Sequence, residues 1–254
     1  MKGRMKLRLV LDTHTHTIAS GHAFSTIIEN AREAFRKGLQ LICITDHGPE
    51  MPGGPHIYYF GNLKVIPEKI EGVEILKGVE ANIMDEEGRI DLPERILKKL
   101  DIVIASLHDE CFEPSEDVER NTKALINAIK NPYVDIIGHP GNPIYPIDIE
   151  RVLEAAKEYG KFIEINNSSF VTSRRGSEKI CPIIAGKAKE MGVRVAVGSD
   201  AHICFDVGRF DEAIRLLEDI NMPEELVLNT SVDKVKQYLQ EKRKRIGGGQ
   251  NSWN

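Results

Sequence analysis

Seven of the eight histidines stand at or just past the end of a short apolar run, and such runs recur along the whole 254-residue sequence. His14 and His16 follow residues 7–11, with His22 a few positions on. His47 follows 41–45, His108 follows 102–106, His139 follows 134–137 and His202 follows 193–197. Two carboxylates hold the same kind of position: Glu80 after residues 73–79 and Asp200 after 193–197. Imidazole nitrogens and carboxylate oxygens are the donors that hydrolytic divalent ions use. Gathered on one rim, they point to a metal cluster that activates water.

The strongest local motif is Asp12-Thr-His14-Thr-His16. On extended chain, residues two apart point the same way, so both imidazoles can reach one ion. Asp200-Ala-His202 repeats the spacing. Glu80, in Lys77-Gly-Val-Glu80, reads either as a solvated loop carboxylate or as a bridge holding one cation on each oxygen, and the bridge is the expectation here. Asp46, immediately before His47, and Asp12, ahead of the first histidine pair, are expected to orient imidazoles by accepting from a ring N–H. His56 follows no apolar run; in the Pro/Gly-rich stretch Met51-Pro-Gly-Gly-Pro-His56 it reads as a loop or lid contact. Tyr58, Tyr59 and Phe60 either wall a cavity or pack that loop down, and the loops at 51–59 and 111–117 are expected to shape the substrate pocket. After residues 162–165, the segment from Asn166 to Ser177 carries amides, hydroxyls, Arg174 and Arg175 but no histidine. Hydroxyls with a guanidinium suit phosphate, which makes Arg174 or Arg175 the expected contact. The alternative is a polar loop capping the next helix, with Ser177 at the N-cap.

Something must bring these distant side chains together. Three junctions share one grammar: a helix-like segment, then Gly38, Gly160 or Gly192, then an apolar run. Glycine supplies the left-handed residue that stops a helix, and the run after it reads as a buried parallel strand. Amphipathic periodicity marks the intervening helices, as in Ile149, Val152, Leu153 and Ala156. Thr26 with Glu29 forms a capping box before the first of them. Seven strands are predicted near 7–11, 41–45, 73–79, 102–106, 134–138, 162–165 and 193–197, with a weak eighth at 226–228. The fold class is therefore α/β: a distorted (β/α)7 barrel of the TIM type with its site at the C-terminal strand ends. An open doubly wound sheet is the runner-up, but it gathers residues from only a few strand ends. One domain is expected over residues 1–246, followed by a disordered tail at 247–254.

Composition sets the boundaries. The net charge is −5 with charges interspersed, so no basic stripe marks a nucleic-acid partner. The one basic run, Lys242, Arg243, Lys244 and Arg245, is expected to complement a helix dipole and solvate the tail. Cys43, Cys111, Cys181 and Cys204 contain no CxxC pair, which fits a reducing cytoplasm. No apolar stretch approaches the roughly 18 residues of a membrane span. Oligomeric state is left open, a homo-oligomer included.

The motifs Asp12-x-His14-x-His16, His22-Ala-Phe-Ser-Thr, Ile44-Thr-Asp46-His47-Gly-Pro, Gly78-Val-Glu80-Ala-Asn, His139-Pro-Gly-Asn-Pro, Glu164-Ile-Asn-Asn-Ser-Ser-Phe and Gly198-Ser-Asp200-Ala-His202 together resemble the PHP (polymerase and histidinol phosphatase) superfamily, and within it the YcdX-like phosphatases. The resemblance implies a trinuclear centre. Carried onto this chain, His14, His16, Glu80 and Asp200 hold one ion; Glu80, His108 and His139 hold the second; His22, His47 and His202 hold the third. Zinc is the expected metal, with manganese or iron also suited to this donor set. The expected activity is hydrolysis of small phosphate monoesters by a metal-activated hydroxide, with Arg174 contacting phosphate and Asp200 serving catalysis as well as the metals. The partner is then a small phosphorylated metabolite. The alternatives are a phosphodiesterase or exonuclease acting on nucleic acid, and an amidohydrolase-like C–N or C–O hydrolase. The latter commonly adds a lysine at a mid-barrel rim, where this chain has none.

Overall fold

Strands built mainly of apolar residues are buried on both faces, and two packed clusters divide those residues between the faces. The computed structural model describes residues 6–247. Its strands are β1 (Leu11–Thr15), β2 (Leu41–Ile44), β3 (Lys69–Ile70), β4 (Val73–Asn82), β5 (Ile102–Ser106), β6 (Ile136–Ile137), β7 (Phe162–Asn166) and β8 (Val195–Gly198). Leu11, Leu41, Cys43, Ile102, Ile104, Ile136, Phe162 and Ala196 fill the interior of a barrel. Their neighbours Ile42, Ile44, Val103, Ala105, Ile137, Ile163, Val195 and Val197 pack outward on helices. The period of two along each strand produces this division.

Seven parallel strands run in the order β1-β2-β4-β5-β6-β7-β8, as expected of a distorted TIM-like barrel. The short β3, which no sequence signal indicated, adds antiparallel to β4. Between the strands come α1 (Ile27–Arg36), α2 (Ile57–Asn62), α3 (Glu94–Leu97), α4 (Val118–Lys130), α5 (Ile149–Glu158), α6 (Ser168–Val171) and α7 (Ser177–Met191). Two more, α8 (Asp211–Asp219) and α9 (Val232–Arg245), follow β8. Thr26 and Glu29 make the reciprocal capping box of α1. Gly38, Gly160 and Gly192 all take positive φ at the helix stops. Ser177 is not a cap: Gly176, at φ 104°, precedes it, and Ser177 is the first residue of α7.

The first strand lies later than expected, at Leu11–Thr15 rather than 7–11. Its polar residues are buried because each finds a partner. Thr13 Oγ1 donates to the Val197 carbonyl at 2.9 Å, and Thr15 Oγ1 to the Cys43 carbonyl at 2.7 Å. The weak candidate at 226–228 is not a strand; it sits in two 3-10 turns, with Val227 alone bridging to Val195. The ring of strands closes between β1 and β8 without a regular ladder. Asp200 N–H donates to the His14 carbonyl and His16 N–H to the Ala201 carbonyl, each at 2.9 Å. Lower down, Asn229 stands in for a strand. Its Oδ1 accepts from Val197 N–H, and its Nδ2 donates to the Leu11 and Val197 carbonyls.

Helix α9 seals the opposite, N-terminal end, packing Val232, Val235, Tyr238 and Leu239 into the interior. The basic run is therefore only partly a solvated face. Lys242 is buried, its Nζ 2.6 Å from Asp135 Oδ2 and 3.0 Å from the Asp101 carbonyl. Asp135 also accepts from Val103 N–H and the Tyr238 hydroxyl. Among the described residues no helix is long and apolar enough to cross a membrane. Of the tail expected at 247–254, all but Gly247 lies outside the described residues.

Candidate metal centre

The donors converge at the C-terminal mouth of the barrel. β1 carries His14 and delivers His16 one residue past its end; β4 carries Glu80 itself; His47, His108, His139, Asp200 and His202 follow β2, β5, β6 and β8. The His14 and His16 Nε2 atoms are 3.0 Å apart. His14 Nε2 lies 3.2 Å from Glu80 Oε2 and 3.7 Å from Asp200 Oδ1; His16 Nε2 lies 3.5 and 3.2 Å from the same atoms. The other Glu80 oxygen, Oε1, faces His139 Nε2 at 2.8 Å and His108 Nε2 at 3.2 Å. Glu80 thus divides its oxygens between two groups of imidazoles, as a bridging ligand must. His22, more exposed, stacks on His47 and His202 with ring centroids 4.9 Å from each. Three trios have donor atoms all within 4.8 Å of one another: His14, His16 and Asp200; His47, Glu80 and His108; and His16, His47 and His202.

Hydrogen bonds on the far side of the rings fix which nitrogen faces inward. His108 Nδ1 meets Asn82 Oδ1 at 2.7 Å, and His202 Nδ1 meets the Asp200 carbonyl at 3.0 Å. Both partners can only accept, so each Nδ1 carries its proton. His16 Nδ1 meets Ser20 Oγ at 3.2 Å, and that hydroxyl spends its own proton on Asp46 at 2.7 Å. His14 Nδ1 donates to Glu164 Oε1 at 2.7 Å. These assignments turn the Nε2 atoms toward the shared centre.

The charge states agree. Burial, with His47 and His202 alongside, pushes His16 well below the ordinary imidazole value. Burial and the Arg174 guanidinium bring His139 down to about 4. Burial, His47 and His202 also lower His22. For Glu80, burial opposes ionisation, but His14, His108 and His47 outweigh it and hold the carboxyl well below its usual range. Asp200 behaves the same way beside His14 and Arg174. For His14, burial opposes charge, yet Glu164, Glu80 and Asp200 raise its value well above normal. Neutral rings, ionised carboxylates and one imidazole drawn toward a cation make a site that demands positive charge. Two orphans make the same point. Glu80 Oε2 and His47 Nδ1 are buried 2.8 Å apart, and neither makes a hydrogen bond. Divalent ions held by the cluster would satisfy both atoms, so the residues fit the group.

The chain matches the PHP domain over residues 12–168. It belongs to the PHP domain family. A probable phosphatase of Thermoanaerobacter sp. (strain X514) is 77% identical to it over 95% of this chain and 99% of that one. A probable phosphatase of Acetivibrio thermocellus is 58% identical over 94% of this chain and 99% of its own. Among solved structures, histidinol phosphate phosphatase from Lactococcus lactis subsp. lactis, complexed with zinc, L-histidinol and phosphate, superposes with a TM-score of 0.56. The match covers 84% of this chain and 94% of that one at 17% identity, a likeness of fold.

Above the donors, this PHP barrel opens a cleft of about 620 Å³, whose lining includes Ser168, Thr172, Ser173 and Arg174 together with Met51, Pro52, Asp109 and Glu110. Of the two loops expected to shape it, only the first contributes, through Met51 and Pro52. Arg174 is held by Asp200 Oδ2 at 2.6 Å, Asn166 Oδ1 at 3.0 Å and Ser169 Oγ at 2.9 Å. Arg175 is exposed and does not line the cleft. His56 is the N-cap of α2, its Nδ1 accepting from Tyr58 N–H, so it is a loop contact. Two of the three aromatics beside it pack the loop: Phe60 is buried and the Tyr59 hydroxyl donates to Asp46 at 2.5 Å, whereas Tyr58 is exposed. Lys77, on β4, does not line the cleft either. Asp46 and Asp12 do not accept from imidazoles as expected. Asp46 reaches His16 only through Ser20, while Asp12 accepts backbone N–H groups of His14, Ser199 and Gly208. Sequence reasoning assigned no role to Glu164, Asn82 or Ser20, each of which holds a ring nitrogen.

Proposed function

We propose that this PHP-family protein is a metal-dependent phosphatase that hydrolyses monoesters of small phosphorylated metabolites. The observation that carries this reading is the coexistence, in one open cleft, of a buried donor cluster short of positive charge and a restrained guanidinium at its wall. His14, His16, Glu80 and Asp200 are assigned to one ion, Glu80, His108 and His139 to a second, and His22, His47 and His202 to a third. Zinc is the first choice, and manganese or iron the next. When bound, such ions lower the pKa of water from about 15.7 toward about 7 and neutralise phosphoryl oxygens.

The chain's own residues supply the rest. Asp200 turns Oδ1 toward His14 and His16 while Oδ2 fixes Arg174. The guanidinium keeps Nη1 uncommitted among the described residues, free to donate to a phosphate oxygen in the cleft. Ser168, Thr172 and Ser173 add hydroxyls along the same wall. The related chains named probable phosphatases, and the bound phosphate of the Lactococcus structure, support the assignment. Four free thiols accord with a reducing cytoplasm.

The test is phosphate release from a panel of sugar and amino-alcohol phosphates by protein reloaded with zinc or manganese. Activity should vanish on chelation and return with metal. Faster turnover of a diester, single-stranded DNA, an amide or a lactone would overturn the reading. Arg174→Ala should lower kcat/KM about a hundredfold. Arg174→Lys should recover little, since one ammonium cannot hold Asp200, Asn166 and Ser169 at once. Unchanged kcat/KM in both variants removes Arg174 from phosphate binding.

A further inference from the structure

Every barrel strand but one delivers a candidate donor to the mouth. The exception is β7, although two polar side chains, Glu164 and Asn166, stand two residues apart on it and are buried. A carboxylate inside a barrel is costly unless its lone pairs are taken. Those of Glu164 are taken by groups belonging to the site. Oε1 accepts from His14 Nδ1 at 2.7 Å, and Oε2 accepts from the His139 backbone N–H at 2.8 Å and from Asn166 Nδ2 at 3.1 Å. Asn166 extends the contact. Its Nδ2 lies 3.2 Å from Asp200 Oδ2, and its Oδ1 accepts from Arg174 Nη2.

From these contacts we infer that Glu164 and Asn166 form a clamp on β7, positioning residues that lock His14, His139 and Asp200 into one arrangement and thereby tie the two donor groups sharing Glu80 to each other. The backbone supports this. His139 and Asp200 are held at φ 29° and 57°, in the left-handed region that non-glycine residues avoid, and each is gripped from β7. Space for the carboxylate is reserved as well. A Cβ on Gly198 would lie 2.2 Å from Glu164 Oε1 and 2.6 Å from His14 Cβ, so the residue opposite the clamp can only be glycine. A carboxylate behind a ligating imidazole fixes its tautomer and raises its basicity, and losing such a partner typically costs 10- to 100-fold in metal affinity. Here one carboxylate serves an imidazole from β1 and the backbone of a second histidine after β6.

The inference rests on the metal reading of the cluster, and the experiment separates the two. Wild type, Glu164→Ala, Glu164→Gln and Asn166→Ala are stripped with chelator, then titrated with Zn2+ alone in competition with a chromophoric chelator. Long-range proton–nitrogen spectra of histidine-labelled protein report the His14 Nδ1–H proton. Glu164→Ala should weaken Zn2+ binding at least tenfold at more than one site and lose the low-field His14 Nδ1–H signal, with the metal-free melting curve still cooperative. Glu164→Gln should keep the His14 signal, because its Oε1 still accepts, but should fall between wild type and Glu164→Ala in affinity, because its amide N–H groups face the His139 N–H. Zn2+ affinity and a His14 signal equal to wild type in Glu164→Ala overturn the clamp. If that variant does not fold, wild-type affinity in Glu164→Gln overturns it instead. If wild type itself takes up no Zn2+, the metal reading fails, while the His14 signal still decides whether Glu164 positions the ring.

Discussion

Glu80→Ala is expected to lower phosphate release at least about a thousandfold and to leave the purified protein short of metal. Removing one well-placed stabilising group from an active site costs about 10²- to 10³-fold, and Glu80 touches more of this site than one group. Its Oε1 faces His139 and His108, while its Oε2 faces His14, His16 and His47. Losing it leaves five imidazoles around a hole with one carboxylate fewer, and on the proposed reading takes away the ligand shared by two ions. Glu80→Gln keeps the shape and the bond from Ser106 Oγ to Oε1, but it removes the charge and replaces one bare oxygen with a donor. It should therefore resemble Glu80→Ala in metal content rather than wild type. Metal analysis alongside turnover checks both, with circular dichroism to establish folding. Near-normal turnover in either variant would show that hydrolysis does not depend on this cluster.

The second large effect lies at the other end of the barrel and concerns stability. Lys242→Met should destabilise the fold by about 3–5 kcal/mol, the cost of leaving one partner of a buried ion pair uncompensated. Against a typical total of about 5–15 kcal/mol, that brings the protein close to unfolding. Asp135 keeps its bonds from Val103 N–H and the Tyr238 hydroxyl but loses the ammonium 2.6 Å away. Adding Asp135→Asn to Lys242→Met should recover much of the loss, since a neutral amide no longer needs the cation. Urea unfolding of the single and double variants measures both. A midpoint for Lys242→Met equal to wild type would mean the pair contributes nothing.

Much of this architecture was legible because two periodicities agree. Helix-stopping glycines at 38, 160 and 192 located the strand starts, and the apolar runs located the strands; histidines beyond them then had to share a rim. The first strand was misplaced because Asp12, Thr13, His14 and Thr15 look like a loop. Partners far away in sequence make their burial tolerable: the Val197 and Cys43 carbonyls for the threonines, the Ser199 and Gly208 N–H groups for Asp12, and Glu164 for His14. Lys242 was read as solvated for a related reason: nothing local distinguishes it from Arg243 or Lys244, and its partner is 107 positions away. Glu164 did carry a signal that was not used. A carboxylate within an otherwise apolar strand buried on both faces must have a nearby partner, and its i, i+2 relation to Asn166 put both on one face. The roles given to Asp46 and Asp12 failed because adjacency in sequence does not set direction. Their oxygens went to hydroxyls and backbone N–H groups, one step removed from the rings.

The closure of the strand ring between β1 and β8 has a consequence for how the molecule comes apart. Its fastening bonds join His14 and His16 to Asp200 and Ala201, so the clasp that turns a sheet into a hoop is made from the same short segments that present the donors. Cations that bind only the closed hoop add to its stability according to their concentration and affinity. On the proposed metal reading, unbuckling the barrel and emptying its mouth are coupled, and metal supply then bears on stability as well as on chemistry.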